Sequence, residues 1–259
     1  MGQVVFIGAG PGAADLITLR GARWLAQADV VLCDALTDPA LRQLAPHARW
    51  VSVGKRGFSD STAQSTINAL LVKHAAGAAC VVRLKGGDPS IFGRLEEELD
   101  ALSRAGIACE VVPGVTAALA AAAATQRPLT RRGTHGSAGR SVSLTTAVRR
   151  SGEVHAARSA DTEVFYMAGK QLGALSRRLL EAGWPSTTPA SVVSRAGWPD
   201  MRQSDHSVLT LAHASLLHAG RPTVVTVGAG AEPPKLSAPA PAPAASIDAL
   251  RGEVETLRP

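Results

Sequence analysis

The feature that most constrains this chain is a repeat of one local pattern. A short apolar run ends on glycine or on a charged residue, and a stretch with helical spacing follows. Gln3–Ile7 runs into Gly8-Ala9-Gly10-Pro11-Gly12, after which Leu16, Leu19, Arg23, Leu25 and Ala26 fit a helix. The pattern then predicts strands over 29–33, 50–53, 79–84 and 108–112, with helices over 61–75 and 91–105 between them. Ser61, with Gln64 three residues on, is a candidate helix cap. Runs of this kind, apolar throughout rather than alternating, suit strands buried on both faces. Their alternation with helices predicts a largely parallel α/β sheet.

Pro113-Gly114 interrupts the pattern. An alanine-rich helix is expected over 115–125, and further strands over 141–145, 162–167, 190–194 and 223–227. A helix over 172–182 should stop at Gly183. The second half therefore reads as another α/β unit. The expected domains are 1–113, 114–230 and a tail, 231–259, with a cleft between the first two. Residues 127–161 are rich in Arg, Gly, Ser, Thr and His. They read either as a lid over a site or as an insertion without a role. The tail begins as a Pro/Ala-rich linker, and Ile247, Leu250, Val254 and Leu257 could form one face of a short helix.

Composition removes several classes of function. Aromatic residues make up 3% of the chain, too few for a stacking surface that binds single-stranded nucleic acid. No uncharged apolar run approaches about 18 residues, so no membrane span is expected. The start, Met1-Gly2-Gln3-Val4-Val5, lacks the features of a secretory leader. Cys33, Cys80 and Cys109 are far apart and unaccompanied by histidine. They read as reduced, mostly buried thiols of a cytoplasmic protein without a metal site. The net charge of +6 suits a phosphate or carboxylate partner, although solubility alone would also account for it.

Three loops carry candidate chemistry. The glycine loop at 8–12 lets a ligand approach the backbone. Its spacing fits a dinucleotide site poorly, because Ala13 stands where a third glycine is expected and Pro11 lacks an N–H. A dinucleotide, another small ligand and a purely structural turn all stay open on the residues alone. The second loop, Arg83-Leu84-Lys85-Gly86-Gly87-Asp88-Pro89, lies at a strand's carboxyl end, where open α/β sheets bind ligands. Asp88 could accept from a ribose or an amino group, with Arg83 and Lys85 flanking it in positive charge. The third loop is Pro113-Gly114-Val115-Thr116-Ala117.

Taken together, seven segments resemble the tetrapyrrole (precorrin) methylase family, in the family's order over about residues 3–228. They are 5–12, 28–34, Gly54-Lys55-Arg56, 83–93, 112–117, Pro128-Leu129-Thr130-Arg131-Arg132-Gly133 and Val164-Phe165-Tyr166-Met167. Arg83-Leu84-Lys85-Gly86-Gly87-Asp88-Pro89 favours the branch that acts on uroporphyrinogen III. The resemblance implies two α/β domains with S-adenosylmethionine in the cleft, in a homodimer. It also implies methylation of uroporphyrinogen III at two ring carbons to give precorrin-2. By motif position, Pro11, Gly86, Gly87, Asp88, Ile91, Thr116, Ala117, Met167 and Ala196 resemble the cofactor shell. Asp34 and Lys55 resemble the acid/base positions, and Arg56, Arg131 and Arg132 those that would hold substrate carboxylates. The bland alternatives are a helix or turn cap for Asp34, a solvated turn for Lys55-Arg56 and ordinary core for Met167. The sequence departs from the family at Cys33 (usually Tyr), Asp60-Ser61 (His-Ser), Leu95-Glu96 (Gly-Gly), Arg131 (His) and Ala147-Val148 (Gly-His). Several of these fall on the substrate side. A relative with a shifted tetrapyrrole substrate, or a non-catalytic binder of cofactor or tetrapyrrole, is the alternative reading.

Overall fold

The computed structural model describes residues 2–54, 63–132, 139–149 and 151–233. They fall into two compact units that divide between Thr116 and Ala117. The first contains β1 (Gln3–Gly8), α1 (Leu19–Leu25), β2 (Val30–Cys33), β3 (Arg49–Ser52), α2 (Gln64–Ala75), β4 (Cys80–Lys85), α3 (Leu95–Arg104) and β5 (Cys109–Val112). Its sheet has the order β3-β2-β4-β1-β5, and every neighbouring pair is parallel. The side chains of β1 alternate between two cores. Val5 and Ile7 pack with Ala22 and Leu25 of α1, whereas Val4 and Phe6 pack with Leu71 of α2 and Leu102 of α3. Burial on both faces is the physical reason that the inner strands β1, β2 and most of β4 read as continuous apolar runs.

The second unit contains α4 (Ala117–Thr125), β6 (Val142–Thr146), β7 (Thr162–Tyr166), α5 (Leu172–Glu181), β8 (Pro189–Ser194), β9 (Arg202–Ser207), α6 (Ser215–His218) and β10 (Thr223–Gly228). Its sheet runs β6-β7-β10-β8-β9. Only β6 and β7 are parallel, and the other three pairs are antiparallel. α5 packs on one face with Leu172, Leu175 and Leu179, and α4 on the other with Ala118 and Ala121. α5 ends as its sequence requires. Gly183 adopts φ +86°, and the amides of Gly183 and Trp184 donate back to the carbonyls of Leu180 and Leu179.

Several expectations change. β9, Arg-Gln-Ser-Asp-His-Ser, has no apolar alternation and could not be read as a strand. It is an edge held by its ladder to β8 and by Arg127, whose guanidinium forks onto Asp205 (2.5 and 2.6 Å). α3 starts at Leu95 rather than Ile91, because Phe92 and Arg94 occupy the left-handed region (φ +52° and +53°). The described part of 127–161 contains β6 and two isolated bridges, Arg131 with Gly139 and Val148 with Val154. Cys33 and Cys80 are buried, but Cys109 is exposed on the edge strand β5. Among the described residues no helix is long and apolar enough to cross a membrane. Ser61 and the tail from 234 onward lie outside the described residues.

Candidate active site

The three loops singled out in the sequence meet at the carboxyl edge of the first sheet. β1 and β4 are neighbours, as are β1 and β5, so the loops leaving them emerge side by side. The contact is backbone on backbone. A methyl group on Gly8 would lie 2.5 Å from the Cα of Gly114 and 2.8 Å from the carbonyl oxygen of Gly87. One on Gly114 would lie 2.4 Å from that same oxygen. Gly10 and Gly87 exchange backbone hydrogen bonds, the Gly87 amide donating to the Gly10 carbonyl at 2.7 Å. Asp88 ties the second loop to the third. Its Oδ1 accepts from the amide of Ser90 and its Oδ2 from that of Gly114, both at 2.8 Å. The structure thus gives Asp88 a loop-fastening task that the sequence did not suggest.

The stack leaves one side open. Gly87 has φ +71°, and the nearest atom to its missing Cβ is the Cα of Thr116 at 3.9 Å. Pro11 adjoins Gly10, the amide of Ile91 donates to the carbonyl of Asp88, and Thr116 is almost fully buried. Pro11, Gly86, Gly87, Asp88, Ile91 and Thr116 therefore gather on this edge.

Asp34 follows β2 on the same edge, about one third exposed. Its Oδ1 accepts from Nη2 of Arg83 at 2.6 Å and its Oδ2 from the amide of Gly86 at 3.4 Å. Arg83 and Lys85, expected to flank the loop as free positive charge, are instead buried and paired. Arg83 Nε and Lys85 Nζ donate to Glu98, at 3.2 and 2.9 Å. Burial, reinforced by Arg83, holds the Lys85 ammonium below the usual lysine range. Glu98 itself is fully buried and is the principal residue that sequence reasoning missed. A signal existed: it stands four residues before Leu102, on the apolar stripe of α3.

In the second unit, Ala117 and Ala196 share one apolar cluster with Tyr166. Met167, directly after Tyr166, is 55% exposed with φ +59°. Arg195, directly before Ala196, has φ +52°. At both strand ends a non-glycine residue in the left-handed region marks a locally constrained backbone. Arg131 is held by Glu232, Nη1 donating to Oε2 at 3.2 Å and Nη2 to the backbone carbonyl, while Nε is buried without a partner. Arg132 is exposed. Lys55 and Arg56 lie outside the described residues.

Comparison with known proteins gives a consistent result. The sequence pattern of the tetrapyrrole (corrin/porphyrin) methylases matches residues 3–211. A uroporphyrinogen-III C-methyltransferase of Pseudomonas aeruginosa is 41% identical over 236 residues, 88% of this chain and 93% of that one. A siroheme synthase of Psychrobacter is 41% identical over 205 residues, 77% of this chain but 41% of that one. Among solved structures, a uroporphyrin-III C-methyltransferase of Thermus thermophilus complexed with S-adenosyl homocysteine superposes with a TM-score of 0.74. Its identity is 36%, covering 88% of this chain and 97% of that one.

Proposed function

The chain belongs to the tetrapyrrole (corrin/porphyrin) methylases, and from that premise we propose that it transfers two methyl groups from S-adenosylmethionine to ring carbons of uroporphyrinogen III, giving precorrin-2. The observation that carries the reading is the 41% identity to a uroporphyrinogen-III C-methyltransferase across 93% of that protein. The glycine-stacked edge of the first sheet supports it, since Gly87 there leaves room beside bare backbone.

S-Adenosylmethionine, when bound, supplies an electrophilic methyl on a sulfonium. This chain's own residues do the rest. Pro11, Gly86, Gly87, Asp88, Ile91 and Thr116 of the first unit are assigned to holding the nucleoside part, with Ala117, Met167 and Ala196 of the second. Met167 offers an exposed, polarisable side chain on a constrained backbone. Asp34 is assigned as the base that takes the proton leaving the macrocycle. Lys55 is assigned as its acid/base partner, or as a ligand for a substrate carboxylate. Arg56 and Arg132 are assigned to the carboxylates of the substrate, where a guanidinium can fork onto a planar anion. Arg131 belongs to the same set, and Glu232 competes with substrate for it. The protein's main contribution is positioning and exclusion of water. A cytoplasmic homodimer completes the reading.

The test is an anaerobic assay of the purified protein with uroporphyrinogen III and isotopically labelled S-adenosylmethionine, read by mass. A gain of two methyls is expected. Cofactor binding by calorimetry without methyl gain would shift the reading to another tetrapyrrole or to a non-catalytic binder. Light scattering that returns a single-chain mass would remove the homodimer.

A further inference from the structure

Asp34, Arg83, Lys85 and Glu98 form one connected set of two positive and two negative side chains, and three of the four are buried. Apolar residues of similar volume would pack in this position without the cost of desolvating charges, so stability alone gives little reason for the set. Its arrangement is directional. Arg83, with a side chain 3% exposed, uses each of its three nitrogens. Nη2 donates to Asp34 Oδ1 at 2.6 Å, Nε to Glu98 Oε1 at 3.2 Å, and Nη1 to the carbonyls of Leu32 and Leu84 at 3.4 and 3.2 Å. Leu32 is two residues before Asp34, so one guanidinium grips both the strand and the carboxylate it delivers. Glu98 in turn is held from two other elements. Lys85 Nζ on β4 donates to its Oε2 at 2.9 Å, and Gln64 Nε2 on α2 to its Oε1 at 3.1 Å. Asp34 is the one member that reaches solvent, and it does so on the loop edge described above.

We propose that Arg83 and Glu98 are positioning residues for Asp34: Glu98 clamps the Arg83 guanidinium, and Arg83 aims the Asp34 carboxylate at the open edge. Lys85 holds the second carboxylate oxygen of Glu98. The inference rests on the assignment of Asp34 to proton transfer. It extends that assignment to residues that touch neither substrate nor cofactor.

The experiment is a double-mutant cycle in the full chain, with Asp34→Asn, Glu98→Gln and their combination, each assayed for methyl transfer. Glu98→Gln should lower kcat by roughly 10- to 100-fold, the range seen when an outer partner of a working group is lost. The KM for S-adenosylmethionine should change by no more than about twofold, as should the calorimetric affinity for S-adenosylhomocysteine. Glu98→Asp should recover part of kcat. Adding Glu98→Gln to Asp34→Asn should cost less than about threefold more, because a residue that acts through another has nothing left to act on. Fully additive losses, or a loss confined to KM, would overturn the proposal. Full activity in Asp34→Asn alone would overturn the assignment of Asp34, a separate and recognisable result. Should Glu98→Gln fail to fold, Arg83→Lys keeps the charge but removes the fork and completes the same cycle.

Discussion

At the scale of single residues, Gly8 and Gly87 look alike in sequence but differ in what they forbid. Gly8 is needed for space. A Cβ there would press on the backbone of Gly114 and Gly87, and backbone cannot swing aside as a flexible side chain can. Gly8→Ala is expected to destabilise the protein by about 1–3 kcal/mol, the usual cost of forced overpacking, seen as a lowered midpoint in thermal denaturation. An unchanged midpoint would show that the loops are not packed as described. Gly87 is needed for conformation and for access. Its φ of +71° suits glycine, and a β-branched side chain strains there. Its open side is the one the proposed cofactor site uses. Gly87→Val should therefore abolish calorimetric binding of S-adenosylhomocysteine, whereas retained affinity would move the pocket elsewhere. The importance of both glycines was legible from their place after strands, but which need each one serves was not. Lys85 and Glu98 make the opposite case. Each looks like solvated charge in sequence, and only the register of β4 against α3 turns them into a buried pair.

At the scale of elements, α6 shows how four residues can brace a sheet. It brings His218, fully buried, against both β8 and β9. His218 Nδ1 meets Ser194 Oγ and its Nε2 meets Ser204 Oγ, both at 2.9 Å. Ser204 Oγ then meets His206 Nε2 at 2.8 Å, and Arg221 Nε donates to Ser194 Oγ at 3.0 Å. Burial, reinforced by His206, Arg221 and Arg202, pushes the His218 imidazole down from 6.5 to about 4. Below pH 6.5 the unfolded chain takes up a proton that the native imidazole refuses. Stability from this group is thus complete above pH 6.5 and is lost as pH falls toward 4. The loss is on the order of 3 kcal/mol at its fullest. Thermal denaturation between pH 7.5 and 4 should show that slope, and His218→Gln should flatten it. A parallel slope in the variant would mean that other groups carry the acid sensitivity. β9 depends on side chains in a similar way. It has none of the alternation that marks a strand, and its place follows from pairing and from the Arg127–Asp205 fork.

At the scale of the whole molecule, the net charge of +6 complements the polycarboxylate substrate of the proposed reaction. Raising ionic strength from about 0.02 to about 0.3 M shortens the screening length to well under 10 Å. The KM for the tetrapyrrole should then rise severalfold, while that for S-adenosylmethionine, itself cationic, should stay nearly constant. Equal insensitivity of both would mean that recognition does not use the Arg56, Arg131 and Arg132 set. Over the whole chain, the residues determined the fold class, the two α/β halves and the motif order that signals the family. Periodicity, glycine placement and loop composition are local properties, and a chain carries them without being folded. The antiparallel character of the second sheet was decided elsewhere, because β7, β8 and β10 are as buried as the inner strands of the first sheet and so carry the same kind of run. So were the fastening of the third loop by Asp88, the capture of Arg131 by Glu232 and the burial of Arg83, Lys85 and Glu98. Each of these joins residues distant in sequence, between 13 and 101 positions apart for the bonds concerned. Whether a charge is solvated or buried against its opposite depends on which element packs over it, and only the tertiary structure supplies that neighbour.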